Sequence, residues 1–269
     1  LLACKFGARK VYAIEPDDTI NLARELAELN GFTGHIEFIH DVSTNVTLPE
    51  RADIIVSDLR GALPLFDQHI PSIIDARQRH LSPNGILIPQ KDTLWVSVVE
   101  AGTIYETLLR PWDTPYGLKM DPAQQSALNQ WQYDDTDLFQ ATNLLTEPTK
   151  WAVLNYNTIN QSGVYCPKVE QAVICEGIAH GLLIWFDTKL TADIGFSCSP
   201  QAAKIPSVYG RGFFPLSKPV PLAIGNSIHL TIEAELTNKG YSWHWRTRIY
   251  GGNDKQLILA DFDQASDLQ

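Results

Sequence analysis

The stretch KVYAIEP, residues 10–16, contains a short apolar run, VYAI, that is followed directly by the acid Glu15. It decides the interpretation of the first third of the chain. Around it lie a helical pattern at 19–30, apolar runs at 35–40 and 53–57, and a second helical pattern at 71–80. Apolar runs that alternate with amphipathic helical patterns are typical of parallel strands joined by helices. Gly31 directly follows the first helical pattern and suits a left-handed helix stop. The sequence therefore predicts a doubly wound α/β domain.

Beyond Pro89 the pattern changes to alternating apolar and polar residues. The stretches that show this alternation are 93–99, 179–187, 227–235 and 241–250. A period of two, interrupted by Gly and Pro turns, predicts the antiparallel strands of a barrel or sandwich. We place the boundary near residues 89–93, which gives an α/β domain at 1–90 and a β-barrel domain at 91–269.

Two local features stand out from these patterns. Residues 82–85 read SPNG, which is typical of a turn, so we predict that the next strand begins at Ile86. Residues 110–148 are polar and carry helical patterns around 122–131 and 135–145. A segment of this length is too long for a simple loop, so we expect it to have a role of its own.

The composition bounds the partners of the chain. Its 269 residues include 21 Lys and Arg against 31 Asp and Glu, and the net charge of −10 argues against a nucleic-acid partner. No apolar run approaches the roughly 18 residues of a membrane span. The four cysteines and seven histidines lack the spacing of a metal site or a disulfide framework, so we expect no metal and a cytoplasmic location. The chain opens mid-pattern without Met, so we expect it to be a fragment.

Polar groups follow the first two predicted strands. Glu15 ends the first strand, and in open α/β sheets a carboxylate at that edge can accept the hydroxyl hydrogens of a ribose. An acid that caps the following helix is an equally good interpretation from position alone. Residues 39–43 end the second strand with groups suited to an adenine edge, although turns after strands are usually polar.

The run FGARKVYAIE, residues 6–15, is similar to the stretch that follows the glycine-rich first motif of protein arginine methyltransferases. The resemblance implies a Rossmann-like methyltransferase domain that binds S-adenosylmethionine, followed by a β-barrel domain. It implies Glu15 for the ribose hydroxyls, and Asp41, Val42 and Ser43 around the adenine. In the family the first strand and the glycine loop would lie directly upstream of Leu1.

The strand at 53–57 leads into Asp58, and a second acid, Asp67, follows nine residues later. Family members place two glutamates here, and the serine at 57 and Gly61 are also in register. Paired carboxylates grip a planar guanidinium bidentately and can aim its remaining nitrogen at a methyl donor. The resemblance thus implies Asp58 and Asp67 as the catalytic acids of an enzyme that methylates arginine in a protein or peptide.

The two acids themselves and two residues near them leave alternatives open. Aspartate is one methylene shorter than glutamate, so the loop sits closer, the acceptor differs, or arginine methylation is lost. Arg60 stands where the family usually has an apolar residue, and we hypothesise that it pairs with Asp58 or Asp67 and occupies the substrate site itself. His69 is either a proton acceptor or a solvated residue at the start of a helix.

The resemblance is weaker beyond residue 100. Ser207, Val208 and Tyr209 stand at the places of the family's threonine-histidine-tryptophan loop, so Tyr209 is either an aromatic wall for the substrate or a residue packed beneath the loop. The segment at about 111–147 matches the helical arm through which these enzymes dimerise, and the alternative is packing on its own domain. Two other functions remain open: methyl transfer to another nitrogen acceptor, and a catalytically degenerate, dimerising binding module.

Overall fold

The computed structural model describes residues 1–134, 138–203, 206, 208–252 and 257–266. Contacts divide the chain into two compact units. The N-terminal unit comprises Leu1–Ile55 and Ser72–Ile86, and the C-terminal unit comprises Val56–Pro71 and Leu87–Gln269. The predicted domains at 1–90 and 91–269 stay a proposal, since this division assigns residues 56–71 to the second unit.

The first seven elements are three helices and four strands. They are α1 (Leu2–Lys5), β1 (Val11–Ile14), α2 (Thr19–Leu29), β2 (Ile36–Ile39), β3 (Ala52–Val56), α3 (His69–Arg79) and β4 (Leu81–Ile88). Strands β1 and β2 are parallel and in register from Val11 opposite Ile36 to Ile14 opposite Ile39. Strands β3 and β4 form a separate two-stranded sheet.

Helix α2 buries one face and ends at a glycine. Ile20 and Ala27, seven residues apart and therefore on one helical face, are its buried residues. The helix ends at Leu29, and Gly31 has a φ of 72°, which confirms the predicted left-handed stop.

The remaining elements are mostly strands. They are β5 (Lys91–Val99), α4 (Gly102–Leu109), α5 (Asp121–Leu128), β6 (Gln132–Asp134), β7 (Thr149–Asn155), β8 (Val164–Ala172), β9 (Gly177–Lys189), β10 (Gly195–Ser197), β11 (Arg211–Leu222), β12 (Ser227–Thr237), β13 (Gly240–Gly251) and β14 (Leu257–Ala265). One sheet has the order β6-β11-β9-β5-β7, with β10 paired to β9, and the other has the order β14-β13-β12-β8. Within the described residues neither sheet closes on itself, so the antiparallel strands that we predicted are present, and the β-barrel stays a prediction.

Aromatic side chains join the two sheets of the C-terminal unit. The ring of Phe214 on β11 lies 5.1 Å from that of Trp243 and 5.3 Å from that of Trp245, both on β13. Trp131 stacks on Phe214 at 5.8 Å. Gln264 on β14 donates hydrogen bonds from its amide to the carbonyl oxygens of Leu128 and Pro215, 2.8 and 3.1 Å away. The core of this unit therefore lies between the two sheets.

Of three local predictions, two need correction and one is confirmed. The SPNG turn at 82–85 lies inside β4, where Asn84 takes the bend with a φ of 66°. The helix expected around 135–145 is replaced by a short 3-10 helix at Ala141–Asn143, and residues 135–137 lie outside the described residues. The helix expected around 122–131 is present as α5.

The segment at 111–147 packs largely on its own unit. Its apolar residues Phe139, Leu144 and Leu145 are buried, as packing on its own domain requires. Tyr116, Leu118, Tyr133 and Leu138 are exposed. No helix among the described residues is long and apolar enough to cross a membrane.

Candidate active site

The acid loop, residues 58–67, follows β3 and belongs to the C-terminal unit. Leu63 and Leu65 are buried and anchor its middle. At Gly61 the ring of Phe66 approaches so closely that a Cβ atom would lie 2.6 Å from its Cδ2. The loop therefore folds back on itself, and this fold requires glycine at position 61.

Arg60 lies at the centre of a polar cluster, and its side chain is only 3% exposed. Its Nε donates to Asp58 Oδ1 at 3.2 Å, and its Nη2 donates to Tyr209 Oη at 2.7 Å. Its Nη1 donates to Thr188 Oγ1 at 2.9 Å and forms an ion pair with Asp92 Oδ1 at 3.2 Å. All three nitrogens of the guanidinium are thus bonded within the C-terminal unit.

Tyr209 joins Arg60 to Asp58. Its hydroxyl oxygen lies 2.7 and 2.6 Å from the two carboxylate oxygens of Asp58, so its single proton is donated to that carboxylate. Burial, and then the hydrogen bond to Asp58, raise the pKa of Tyr209, which keeps the hydroxyl protonated. Asp58 itself remains 54% exposed, so it keeps an open side.

Asp92 is the buried end of the cluster and is 0% exposed. It accepts hydrogen bonds from Tyr156 Oη at 2.6 Å and from Thr188 Oγ1 at 2.7 Å, in addition to its ion pair with Arg60. Burial raises the pKa of Asp92, and Arg60 counteracts this effect. Removing one partner from a buried pair of this kind costs about 3–5 kcal/mol, because the remaining charge is left uncompensated.

His69 extends this chain of hydrogen bonds. It is fully buried, and its Nε2 lies 3.1 Å from Tyr156 Oη. Because Tyr156 donates its own proton to Asp92, Nε2 of His69 must be the donor, which leaves Nδ1 unprotonated and without a hydrogen-bond partner among the described residues. Burial, and then the charge of Arg60, lower the pKa of His69 to about 4. The interpretation of His69 as a solvated residue was wrong.

Three aromatic rings surround the guanidinium of Arg60. Its Cζ lies 4.8 Å from the ring centre of Tyr209, 5.6 Å from that of Phe196 and 5.8 Å from that of Phe186. Tyr209 and Phe196 are stacked at 5.2 Å. Cation–π contacts of this kind stabilise a desolvated guanidinium. Burial opposes the charge of Arg60, but Asp92, Tyr209 and Asp58 together raise its pKa above the ordinary value.

Asp67 is separate from this cluster. It is exposed, and its φ of 37° places it in the left-handed region. In the described part of the chain its carboxylate has no hydrogen bond, and a Cβ atom on Gly240 would lie 3.8 Å from its Oδ1. The structure therefore pairs Arg60 with Asp58 and not with Asp67.

In the N-terminal unit, Glu15 and Asp41 follow the aligned ends of β1 and β2. The backbone N–H of Glu15 donates to the Ile39 carbonyl at 3.1 Å, and Oε1 of Glu15 accepts the N–H of Asp17 at 2.9 Å. Asp41 Oδ1 accepts hydrogen bonds from Asn45 and from the N–H of Val42, and these two bonds lower the pKa of Asp41. Each acid thus uses one carboxylate oxygen locally.

Known proteins match from more than half to nearly all of the chain. The family described as "Arginine methyltransferase oligomerization subdomain" matches residues 90–246, more than half of the chain. The chain belongs to the protein arginine N-methyltransferase family. It is 28% identical to protein arginine N-methyltransferase 6 of Danio rerio over 214 residues. This alignment covers 76% of this chain and 61% of that protein.

A second relative of the family is probable protein arginine N-methyltransferase 6 of Arabidopsis thaliana, 24% identical over 194 residues, with coverage of 71% of this chain and 45% of that protein. The chain thus spans roughly half the length of these two methyltransferases. A solved structure, the Trypanosoma brucei PRMT1 enzyme-prozyme heterotetrameric complex with AdoHcy, matches with a TM-score of 0.88 and 19% identity over 99% of this chain and 84% of that one. This last likeness concerns the fold.

The structure brings together only part of the site expected for an arginine methyltransferase. It joins Asp58, Arg60 and Tyr209, and it leaves Asp67 apart. Val208 is exposed, and Ser207 lies outside the described residues. Among the described residues no group of three or more His, Cys, Asp or Glu side chains is placed to hold a metal ion.

The sequence analysis missed the inner half of the cluster, which Asp92, Tyr156 and Thr188 form. A signal for Asp92 was present, because it shares the inward register of Leu94, Val96 and Val98 on β5. A charged residue in a buried register requires a partner of opposite charge. Thr188 lies directly opposite Asp92 on β9, but this pairing cannot be read from one strand alone.

Proposed function

We propose that this protein transfers a methyl group from S-adenosylmethionine to a guanidinium nitrogen of arginine in a protein or peptide. The observation that carries the proposal is the acid loop of a family member, which keeps a carboxylate at each end as Asp58 and Asp67. Asp58 presents an open, half-exposed carboxylate that two neighbours hold in place. The net charge of −10 also favours a cationic acceptor.

The residues after β1 and β2 fit a bound adenosine. Among the described residues, one carboxylate oxygen of Glu15 has no local partner and can accept from a ribose diol. Asp41 has such an oxygen too, beside the exposed Val42 and the partly exposed Ser43. We propose that Glu15 holds the ribose and that Asp41, Val42 and Ser43 surround the adenine. When bound, S-adenosylmethionine supplies an activated methyl group on a sulfonium.

The acids would act on the acceptor mainly through position and charge. Asp58 and Asp67 accept hydrogen bonds from the guanidinium, hold positive charge on the nitrogens that they contact, and orient the nitrogen that is methylated. Carboxylates close to the acceptor also stabilise the positive charge that remains until the extra proton leaves. Arg60 and Tyr209 would contribute by fixing the carboxylate of Asp58.

We further propose a homodimer formed through the segment at 111–147 and a cytoplasmic location. The matched family is described as an oligomerization subdomain, and Tyr116 and Leu118 are exposed apolar residues of this segment. The described structure contains four free cysteines, as is usual in a reducing compartment. The C-terminal domain would then be a substrate domain that carries the arm.

The function is tested with protein expressed from its whole gene. Radiolabelled methyl transfer is measured on arginine-rich peptides and on matched peptides with lysine in place of arginine, for the natural protein, Asp58→Asn and Asp67→Asn. We expect transfer to the arginine peptides alone and a loss of at least about a hundredfold in each variant, since the acids act by positioning. Transfer to the lysine peptides would instead support another nitrogen acceptor.

A binding module without catalysis is the second candidate, and the pairing of Arg60 with Asp58 is the observation that favours it. Calorimetry separates this candidate from the first. Cofactor binding that Glu15→Gln weakens, without transfer to any peptide, would favour the module and contradict the enzyme.

A further inference from the structure

The guanidinium of Arg60 lies beside an acid that is proposed to bind the guanidinium of the acceptor. Two roles are therefore open to it: a plug that leaves when the acceptor arrives, or a fixed part of the site. We propose that Arg60 is a permanent positioning residue, which stays in place and holds Asp58 for the acceptor. This inference rests on the proposed function and specifies how one of its acids is held.

The depth of Arg60 argues against displacement. Its Nη1 pairs with Asp92, which is fully buried and also accepts hydrogen bonds from Tyr156 and Thr188. If Arg60 left, the charge of Asp92 would remain in the interior without a cation. An acceptor at the half-exposed Asp58 would replace only one of the contacts that Arg60 makes.

The polarity of the hydrogen bonds gives Arg60 its positioning role. Its Nη2 donates to the Tyr209 hydroxyl oxygen, so the only proton of that hydroxyl is directed to Asp58, and its Nε donates to Asp58 as well. Two donors thus fix the orientation of one carboxylate. The side chain of Asp58 nevertheless remains 54% exposed, which leaves room for an acceptor beside these donors.

The charge of the site supports the same conclusion. Arg60 contributes one positive charge, while Asp58, Asp92 and Asp67 contribute three negative charges. Asp92 balances Arg60 inside the protein, which leaves the charges of Asp58 and Asp67 for an incoming cation. A resident arginine is therefore compatible with a cationic acceptor.

The first experiment removes both buried charges together, in the double variant Arg60→Met, Asp92→Leu. Apolar replacement of a whole buried ion pair is often neutral or stabilising, so this variant is expected to fold, and its melting temperature is measured beside that of the natural protein. The matched control is Arg246→Met, Asp261→Leu, which removes an exposed ion pair on the other sheet together with the contact of Asp261 with Arg248.

We expect kcat for the arginine peptide to fall about 10–100-fold in the Arg60 double variant, with KM within about threefold, because Asp58 loses its orientation. Tyr209→Phe, which removes only the linking hydroxyl, should also lower kcat. Arg60→Lys, which keeps the positive charge beside Asp92, should have a kcat between those of the double variant and the natural protein. A rise in kcat/KM in the double variant would overturn the proposal, since a displaceable plug predicts activation.

The second experiment needs no catalysis. With arginine side chains labelled with ¹⁵N, the Nε–H signal of Arg60 is assigned by its loss in Arg60→Lys and is followed while an arginine peptide is added to saturation. We expect the Nε–H proton of Arg60 to exchange slowly with solvent and its chemical shift to stay unchanged when the peptide is added. A shift of this signal to the value of a solvent-exposed arginine would overturn the proposal, whether or not the protein transfers a methyl group. Failure of the proposed function would appear only in the transfer assay.

Discussion

At the residue scale, the buried His69 makes the stability of the protein depend on pH. Its pKa falls from 6.5 to about 4 because it is buried and lies near Arg60. The unfolded chain therefore binds a proton between these two pH values while the folded protein does not. The contribution of His69 to stability is complete above pH 6.5 and is lost as the pH falls to about 4.

We expect the pH dependence of the unfolding free energy to change when His69 is replaced. Between pH 7 and pH 4 the natural protein should lose on the order of 3 kcal/mol more than His69→Gln, which can still donate to Tyr156 but does not titrate. Urea titrations at several pH values measure this difference. Parallel curves for the two proteins would show that His69 is protonated equally in the folded and unfolded states.

The outer residues of the site could be predicted from the sequence, and the inner ones could not. Asp58, Arg60 and Asp67 follow one strand in a recognisable register, so a single stretch identifies them. Tyr156, directly after β7, and Thr188, on β9, contact Asp92 from positions 64 and 96 residues further along the chain. Such contacts depend on sheet pairing, which the local pattern does not encode.

At the scale of elements, the acid loop depends on close packing between Gly61 and Phe66. A methyl group at position 61 would lie 2.6 Å from the ring, so Gly61→Ala should move Phe66 and destabilise the protein by about 1–3 kcal/mol. Gly163→Ala is the control, because there the nearest atom would be 3.6 Å away. Equal unfolding free energies for the two variants, measured in urea, would contradict this packing.

The elements themselves were largely predictable, because local periodicity produced them. The alternation over 227–235 and 241–250 corresponds to β12 and β13, each longer by one or two residues at its ends. The prediction that a strand begins at Ile86, after a turn at 82–85, was wrong: β4 already begins at Leu81 and pairs with β3, while Asn84 keeps the left-handed φ of a turn residue within it.

At the scale of the whole molecule, the exposed residues of the segment at 111–147 carry the proposed dimer. We expect Tyr116→Ser together with Leu118→Ser to shift the protein from dimer to monomer in sedimentation velocity, with an unchanged melting curve of the protomer. Leu257→Ser, at a residue that is similarly exposed on β14, is the control. A dimer that survives the double substitution would place the interface elsewhere.

The sequence predicts that the C-terminal unit consists of antiparallel strands, but not how its sheets are arranged. Alternating patterns indicate antiparallel strands, and the residues that face inward, such as Phe214, Trp243 and Trp245, could be assigned to a core. Whether those strands close into a barrel depends on hydrogen bonds between distant strands. The described sheets have free edge strands, β6 and β7 in one and β14 and β8 in the other.

The central claim is that Asp58 and Asp67 present an arginine for methylation. The most direct measurement is tandem mass spectrometry of an arginine-rich peptide after incubation with S-adenosylmethionine and the protein expressed from its whole gene. We predict a methyl group on a terminal guanidino nitrogen with the natural protein and none above background with Asp58→Asn. Unmodified arginine with the natural protein, or equal modification by Asp58→Asn, would contradict the claim.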